Sequence, residues 1–203
     1  MTMRRLVGIS VFLAFLMPVA SKALEPPYTF VGTNFPLVNL PTVAGQQVPL
    51  GAVRIPGGYL NRYKSFDIWA GLTWAGGFYN GGAVQPRLYL CDTSTCTGQL
   101  NVELGYVETA SANPFPTGIN VRGSYVITGA GANWTAVGTE TVQFDMTETG
   151  TPHINSYSNQ MSEPFNAAQA WYIVVMMYLD SAGAGEFGTP NAQMNVLRVN
   201  VLH

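Results

Sequence analysis

Apolar side chains recur at every second position along most of this chain, and that spacing limits what it can fold into. Phe66, Ile68, Ala70, Leu72 and Trp74 alternate with a set that includes Ser65, Asp67, Trp69 and Thr73. Successive residues of a strand point to opposite faces, so one set is directed inward and the other outward. The same period returns in Leu100, Val102, Leu104 and Tyr106, in Ile119, Val121, Tyr125 and Ile127, and in Val142, Phe144 and Met146. Near the C-terminus Leu197, Val199 and Val201 take one face while Arg198 and Asn200 take the other. Apart from the N-terminal segment, no window of ten or more residues shows a helical period. A chain patterned in this way buries its apolar faces by stacking sheets.

Residues 171–178 depart from the alternation, reading Trp-Tyr-Ile-Val-Val-Met-Met-Tyr without a polar interruption. Such a run suits a central strand covered on both faces. With a further strand over residues 48–55, the count reaches about eight. The expected fold is mainly β: an antiparallel two-sheet β-sandwich, jelly-roll-like, whose Gly-rich stretches 74–83 and 181–191 would serve as long crossing connections. An immunoglobulin-like sandwich or an open barrel accommodates the same strands.

The N-terminus is built differently. Arg4 and Arg5 precede an uncharged apolar run over residues 6–20, and Ser21-Lys22-Ala23 ends in small residues that a signal peptidase accepts. The run is shorter than the roughly 20 residues of a spanning helix and contains Pro18, so residues 1–23 read as a cleaved signal helix more readily than as a retained membrane anchor. A membrane is a partner only if residues 6–20 are retained. Residues 24–42 carry Pro26, Pro27, Pro36 and Pro41, which read as an extended arm or edge segment. Residues 43–203 are then one sandwich domain, and the expected location is secreted or on the surface of a cell or particle.

Charge narrows the partners. Removing Arg4, Arg5 and Lys22 from the nine basic residues leaves six against eleven acidic ones, a net charge of about −5. Nucleic acid is a poor match for that balance. Cys91 and Cys96 flank four turn-forming residues between two strand-like segments, which predicts a disulfide and agrees with export. Two thiols with no nearby His make at most half a zinc site, so no metal is expected there. Calcium is weakly suggested by Asp92, Asp180 and Glu186, which lack the spacing of a calcium loop; no cofactor is expected.

Catalytic signals are sparse. The histidines are His153, in a turn-like Gly-Thr-Pro-His stretch, and His203 at the end, and no Gly-x-Ser-x-Gly elbow is present. Asp67, Glu103, Glu108, Asp145 and Glu148 are the carboxylates a glycosidase would draw on, and most fall at outward strand positions. The aromatic and Gly-rich stretch 69–82 offers Trp74, Phe78, Tyr79 and Asn80 as a platform on which a sugar could stack, although Trp74 and Phe78 equally suit the sandwich core. The expected function is therefore that of a non-enzymatic structural or adhesion subunit of an extracellular or particle-surface assembly, a viral capsid or spike included. Self-association, or contact with other surface proteins, would run through the N-terminal arm. A secreted carbohydrate-binding module is the alternative, with a glycan as ligand, and a secreted hydrolase ranks third.

Overall fold

The computed structural model describes residues 28–41, 43–78, 83–98, 101–106, 116–146, 153–181 and 186–202. They form β1 (Tyr28–Thr33), β2 (Leu37–Asn39), β3 (Gln47–Ile55), α1 (Tyr59–Tyr63), β4 (Ser65–Phe78), β5 (Ala83–Cys91), β6 (Asn101–Tyr106), β7 (Pro116–Ala130), β8 (Asn133–Met146), β9 (His153–Met161), β10 (Trp171–Ser181) and β11 (Glu186–Leu202). All strand pairings are antiparallel. The larger, seven-stranded sheet runs β1-β11-β4-β7-β8-β9, with β2 also on β11; the smaller, four-stranded sheet runs β3-β10-β5-β6.

The core lies between the sheets, where the alternation puts it. Phe66, Ile68, Ala70 and Leu72 of β4, Ile119, Val121, Tyr125 and Ile127 of β7, and Leu197, Val199 and Val201 of β11 are all buried. Facing them from the smaller sheet are Leu88 and Leu90 of β5, Val102 and Leu104 of β6, and Ile173, Val175 and Met177 of β10. β10 sits between β3 and β5 and is buried on both faces, Val174 and Met176 included, as its unbroken apolar run predicts. One helical turn plugs an end of the sandwich. Gly58 (φ 84°) opens α1 and Lys64 (φ 57°) closes it, both in the left-handed region, while Leu60 and Tyr63 are buried beneath it.

Eleven strands stand where about eight were expected. The three additional ones, β1, β2 and β9, all lie at edges of the larger sheet, and no residue of β1 or β2 is fully buried, so burial writes no alternation into them. Two stretches read as connections also prove to be strand. Residues 74–78 and 186–191 continue β4 and β11 as far as the Phe78–Glu186 pair, helped by bulges between Phe187 and Asn191 and between Met194 and Val196. A bulge absorbs surplus residues without ending the ladder, so Gly-rich sequence is carried through.

Of the Pro-rich segment, the described residues 28–41 form an edge of the chain's own sheet. β1 pairs with residues 196–201 of β11, and β2 with residues 191–193. Between them Asn34 (φ 60°) and Pro36 break the ladder. The break turns Phe35 toward the space left by two missing side chains, since a Cβ added at Gly51 would lie 2.7 Å from Phe35 Cε1 and one at Gly32 3.4 Å from the same atom. Gln193 Nε2 donates to the Phe35 carbonyl at 3.1 Å and closes the turn.

Candidate functional site

The expected disulfide is present. Cys91, the last residue of β5, is bonded to Cys96 with the Cα atoms 5.2 Å apart. Cys96 has φ 54°, and Thr93 holds the loop: its Oγ1 accepts from the backbone N–H groups of Thr97 and Gly98, each at 3.2 Å. The other expected site residues are not brought into view. Trp74 and Phe78 belong to β4 by backbone, opposite Ala192 and Glu186, but their side chains lie outside the described residues, as do Tyr79 and Asn80. His153 opens β9 opposite Phe144, not a turn, and its side chain also lies outside the described residues, as does His203. Among the described residues no three of His, Cys, Asp or Glu come together as a metal site.

Three polar groupings stand out instead. The first is inside the core. Glu140 of β8 points inward with no accessible surface, and neither carboxyl oxygen has a hydrogen-bond partner among the described residues. Its cross-strand neighbour is Gly123, a bare position over which the Tyr125 ring lies: a Cβ there would be 2.6 Å from Tyr125 Cε2 and 3.0 Å from its hydroxyl. That hydroxyl is likewise buried and unpartnered. Loss of water pushes the Glu140 carboxyl up to about 8, with the charge of Glu103 adding to the shift. Burial also raises Tyr125 well above the usual phenol, with the Glu140 charge in support. A carboxyl so placed is neutral around pH 7 and is a proton donor without an acceptor.

The second grouping covers the outer face of the smaller sheet. Tyr89 donates to Glu103 Oε2 at 2.9 Å, and Arg87 reaches the same oxygen at 3.5 Å and Gln85 Oε1 at 2.8 Å. The Arg87 guanidinium also lies 3.8 Å from the centre of the Tyr178 ring. Burial pushes the Tyr89 hydroxyl up to about 12, against the opposing hydrogen bond from Arg87. These groups bond to one another, which is the behaviour of a structural network.

The third is the row Arg198–Trp69–Arg122 on the outer face of the larger sheet. Both arginines pair in register with Trp69, one from β11 and one from β7. Parity alone places Trp69 and Arg198 outward. Of the carboxylates singled out in the sequence, Asp67 is half-buried beside Trp69, and Glu103 belongs to the second grouping. Asp145 pairs with Gly118, but its side chain lies outside the described residues, as do Glu108 and Glu148. Glu140 was not among those candidates, although it shares the parity of Val142 and so belongs to the inward set.

No protein-family model and no curated protein matches the sequence. Among solved structures, a chain of infectious bursal disease virus Gx strain has a TM-score of 0.37 and 12% identity over 95% of this chain and 37% of that one. A legume lectin-like domain from Entamoeba histolytica scores 0.27 at 10% identity, covering 84% of this chain and 89% of that one. The CBM2 module of the evolved Dit of Lactobacillus casei BL23 phage J-1 scores 0.30 at 11% identity, over 75% and 69% of the two chains. This chain thus spans little more than a third of the viral one, and likenesses at this level establish no family.

Proposed function

We propose that this chain is an exported, non-enzymatic structural subunit, a jelly-roll β-sandwich that assembles with further copies of itself. Support for the jelly roll comes from nested pairing: β1 with β11, β3 with β10, β4 with β7 and β5 with β6, alternating between the two sheets. A single long hairpin rolled over on itself has this order. The ladders β11–β4 and β10–β5 complete it, and β2, β8 and β9 are additions to the eight-strand plan. A signal-like segment at residues 1–23 and the Cys91–Cys96 bond support an oxidising destination outside the cell.

The observation that carries assembly is one flank of the sandwich. Residues 26–53 hold no charged side chain, and they supply β1 and β2 at the edge of the larger sheet and β3, all but its last two residues Arg54 and Ile55, at the edge of the smaller. Tyr28, Val31, Leu37 and Val43 are 37%, 51%, 61% and 57% exposed in this segment. Free edges invite pairing with another chain, and proteins that stay monomeric guard them with charge, proline or bulges. On β1 and β2 only prolines serve; β3 adds Arg54 and a bulge in its ladder with β10. Two copies of an acidic chain repel, so an uncharged flank is where they can meet at the least electrostatic cost.

The test is sedimentation of the secreted protein, up to about 100 μM, beside Val31→Lys and Leu37→Lys variants. Wild type should form oligomers, and the variants should be monomers with unchanged melting temperature. A wild type that stays monomeric throughout, or lysine variants that assemble as wild type does, would refute the reading.

A further inference from the structure

The Arg198–Trp69–Arg122 row lies on β11, β4 and β7 of the larger sheet, and its Arg198 end is the cross-strand neighbour of Val31 on β1. Trp69 sits on β4, flanked in register by Arg198 on β11 and Arg122 on β7. Strands are spaced a little under 5 Å apart, so the two arginines stand about 10 Å from each other across the indole. Both are exposed and Trp69 is half-buried. The Arg198 guanidinium is 5.9 Å from the centre of the Trp69 ring. Neither arginine has a carboxylate partner among the described residues, where the Arg87–Glu103 pair is the ion pair present.

Next to the ring the face is open. Gly71, two residues on and therefore on the same side as Trp69, has no side chain; a Cβ there would meet only Val196 Cγ1 at 3.5 Å and Asn120 Oδ1 at 3.8 Å. The result is a shallow dip walled by an amide and a valine. On the opposite side of Trp69 the neighbouring row is polar, with Asp67 paired to Asn200 and Ser124.

These residues match one ligand chemistry. An aromatic ring presents a negative face that attracts the slightly positive C–H face of a pyranose. Amide, hydroxyl and carboxylate groups exchange hydrogen bonds with sugar hydroxyls, and Asp67, which can only accept when ionised, takes a hydroxyl. The two guanidinium groups bind carboxylates in bidentate fashion. A nucleic acid would need a broad basic stripe, which a chain of net charge about −5 beyond residue 22 lacks. We propose that the outer face of the larger sheet is a saccharide-binding site, in which Trp69 stacks on a sugar ring while Arg122 and Arg198 hold the carboxylate of a uronic acid. The two surfaces share no residue but meet at the Val31–Arg198 pair, so saccharide binding is also measured on Leu37→Lys, whose position pairs with Gln193 away from the row.

Calorimetric titration of the secreted protein with a hyaluronan hexasaccharide and a galacturonate oligomer tests it, with neutral maltohexaose and a single-stranded thymidine oligonucleotide as comparisons. Wild type should bind at least one uronate oligomer more tightly than either comparison. Trp69→Ala and the double variant Arg122→Gln/Arg198→Gln should each weaken that binding by about tenfold or more, at unchanged melting temperature. Trp69→Phe should retain part of it. Gly71→Val, which fills the dip with a residue strands tolerate, should abolish it. No uronate binding by wild type, binding undiminished in Trp69→Ala or Gly71→Val, or tighter binding of the oligonucleotide or of maltohexaose would each overturn the assignment.

Discussion

Glu140 concentrates the chemistry of single residues in this protein. A carboxyl that loses its water on folding and gains no hydrogen bond holds its proton more tightly in the folded chain than in the unfolded one. Its contribution to stability is therefore whole below the ordinary value of 4.5 and is lost as pH rises toward about 8. Across that window one proton changes stability by at most about 1.4 kcal/mol per pH unit. Glu140→Gln keeps the shape and removes the ionisation, so the variant should melt above wild type at pH 8 and close to it at pH 4, as thermal denaturation across pH will report. A wild-type melting temperature that rises from pH 5 to pH 8 in step with the variant would contradict this account. The Tyr125 hydroxyl beside it is buried and unpartnered as well. Tyr125→Phe should then be neutral or stabilising by up to about 1 kcal/mol in urea unfolding, because it removes a polar group that folding leaves without a partner.

Among the elements, the strands legible in the sequence are those buried on at least one full face. β4, β7 and β11 announce themselves by alternation and β10 by its continuous apolar run, because burial acts on every second side chain or on all of them. β1 and β2 escaped because none of their residues is fully buried, and the prolines around them speak against regular structure. Glu140 was legible in principle: it shares the parity of Val142, so a charged residue on the inward face was written in the sequence. The Arg198–Trp69–Arg122 row was legible only in part, since parity turns Trp69 and Arg198 outward but gives no hint that β4 lies between β11 and β7. The Cys91–Cys96 bond was fully legible, and its local span limits what it does. A ring this short stabilises by about 2 kcal/mol through lost chain entropy, so reduction should lower the melting temperature modestly and leave the far-ultraviolet circular dichroism intact. Phe35 ties the edge ribbon down, packing over Gly32 and Gly51. Phe35→Ala should lower stability by about 2 kcal/mol, less than for a fully buried ring, and should raise amide exchange in β1 and β2 before the rest of the larger sheet.

For the whole molecule, the distribution of charge separates two ways of assembling. An interface of ion pairs weakens as salt screens attraction, whereas an uncharged flank between two acidic bodies strengthens as salt screens their repulsion. Residues 26–53 contain no charge, and beyond Lys22 acidic side chains outnumber basic ones by eleven to six. Self-association should accordingly tighten between 50 and 500 mM sodium chloride, concentrations chosen to move the screening length from about 14 Å to about 4 Å. Uronate binding at the Trp69 row should respond in the opposite direction, because guanidinium and carboxylate attract each other and the ring contact is indifferent to salt. Sedimentation and calorimetry on one preparation at both salt concentrations read the two effects separately. Assembly that dissolves at high salt would point to charged residues outside the uncharged segment 26–53 and remove the reason for placing the contact there.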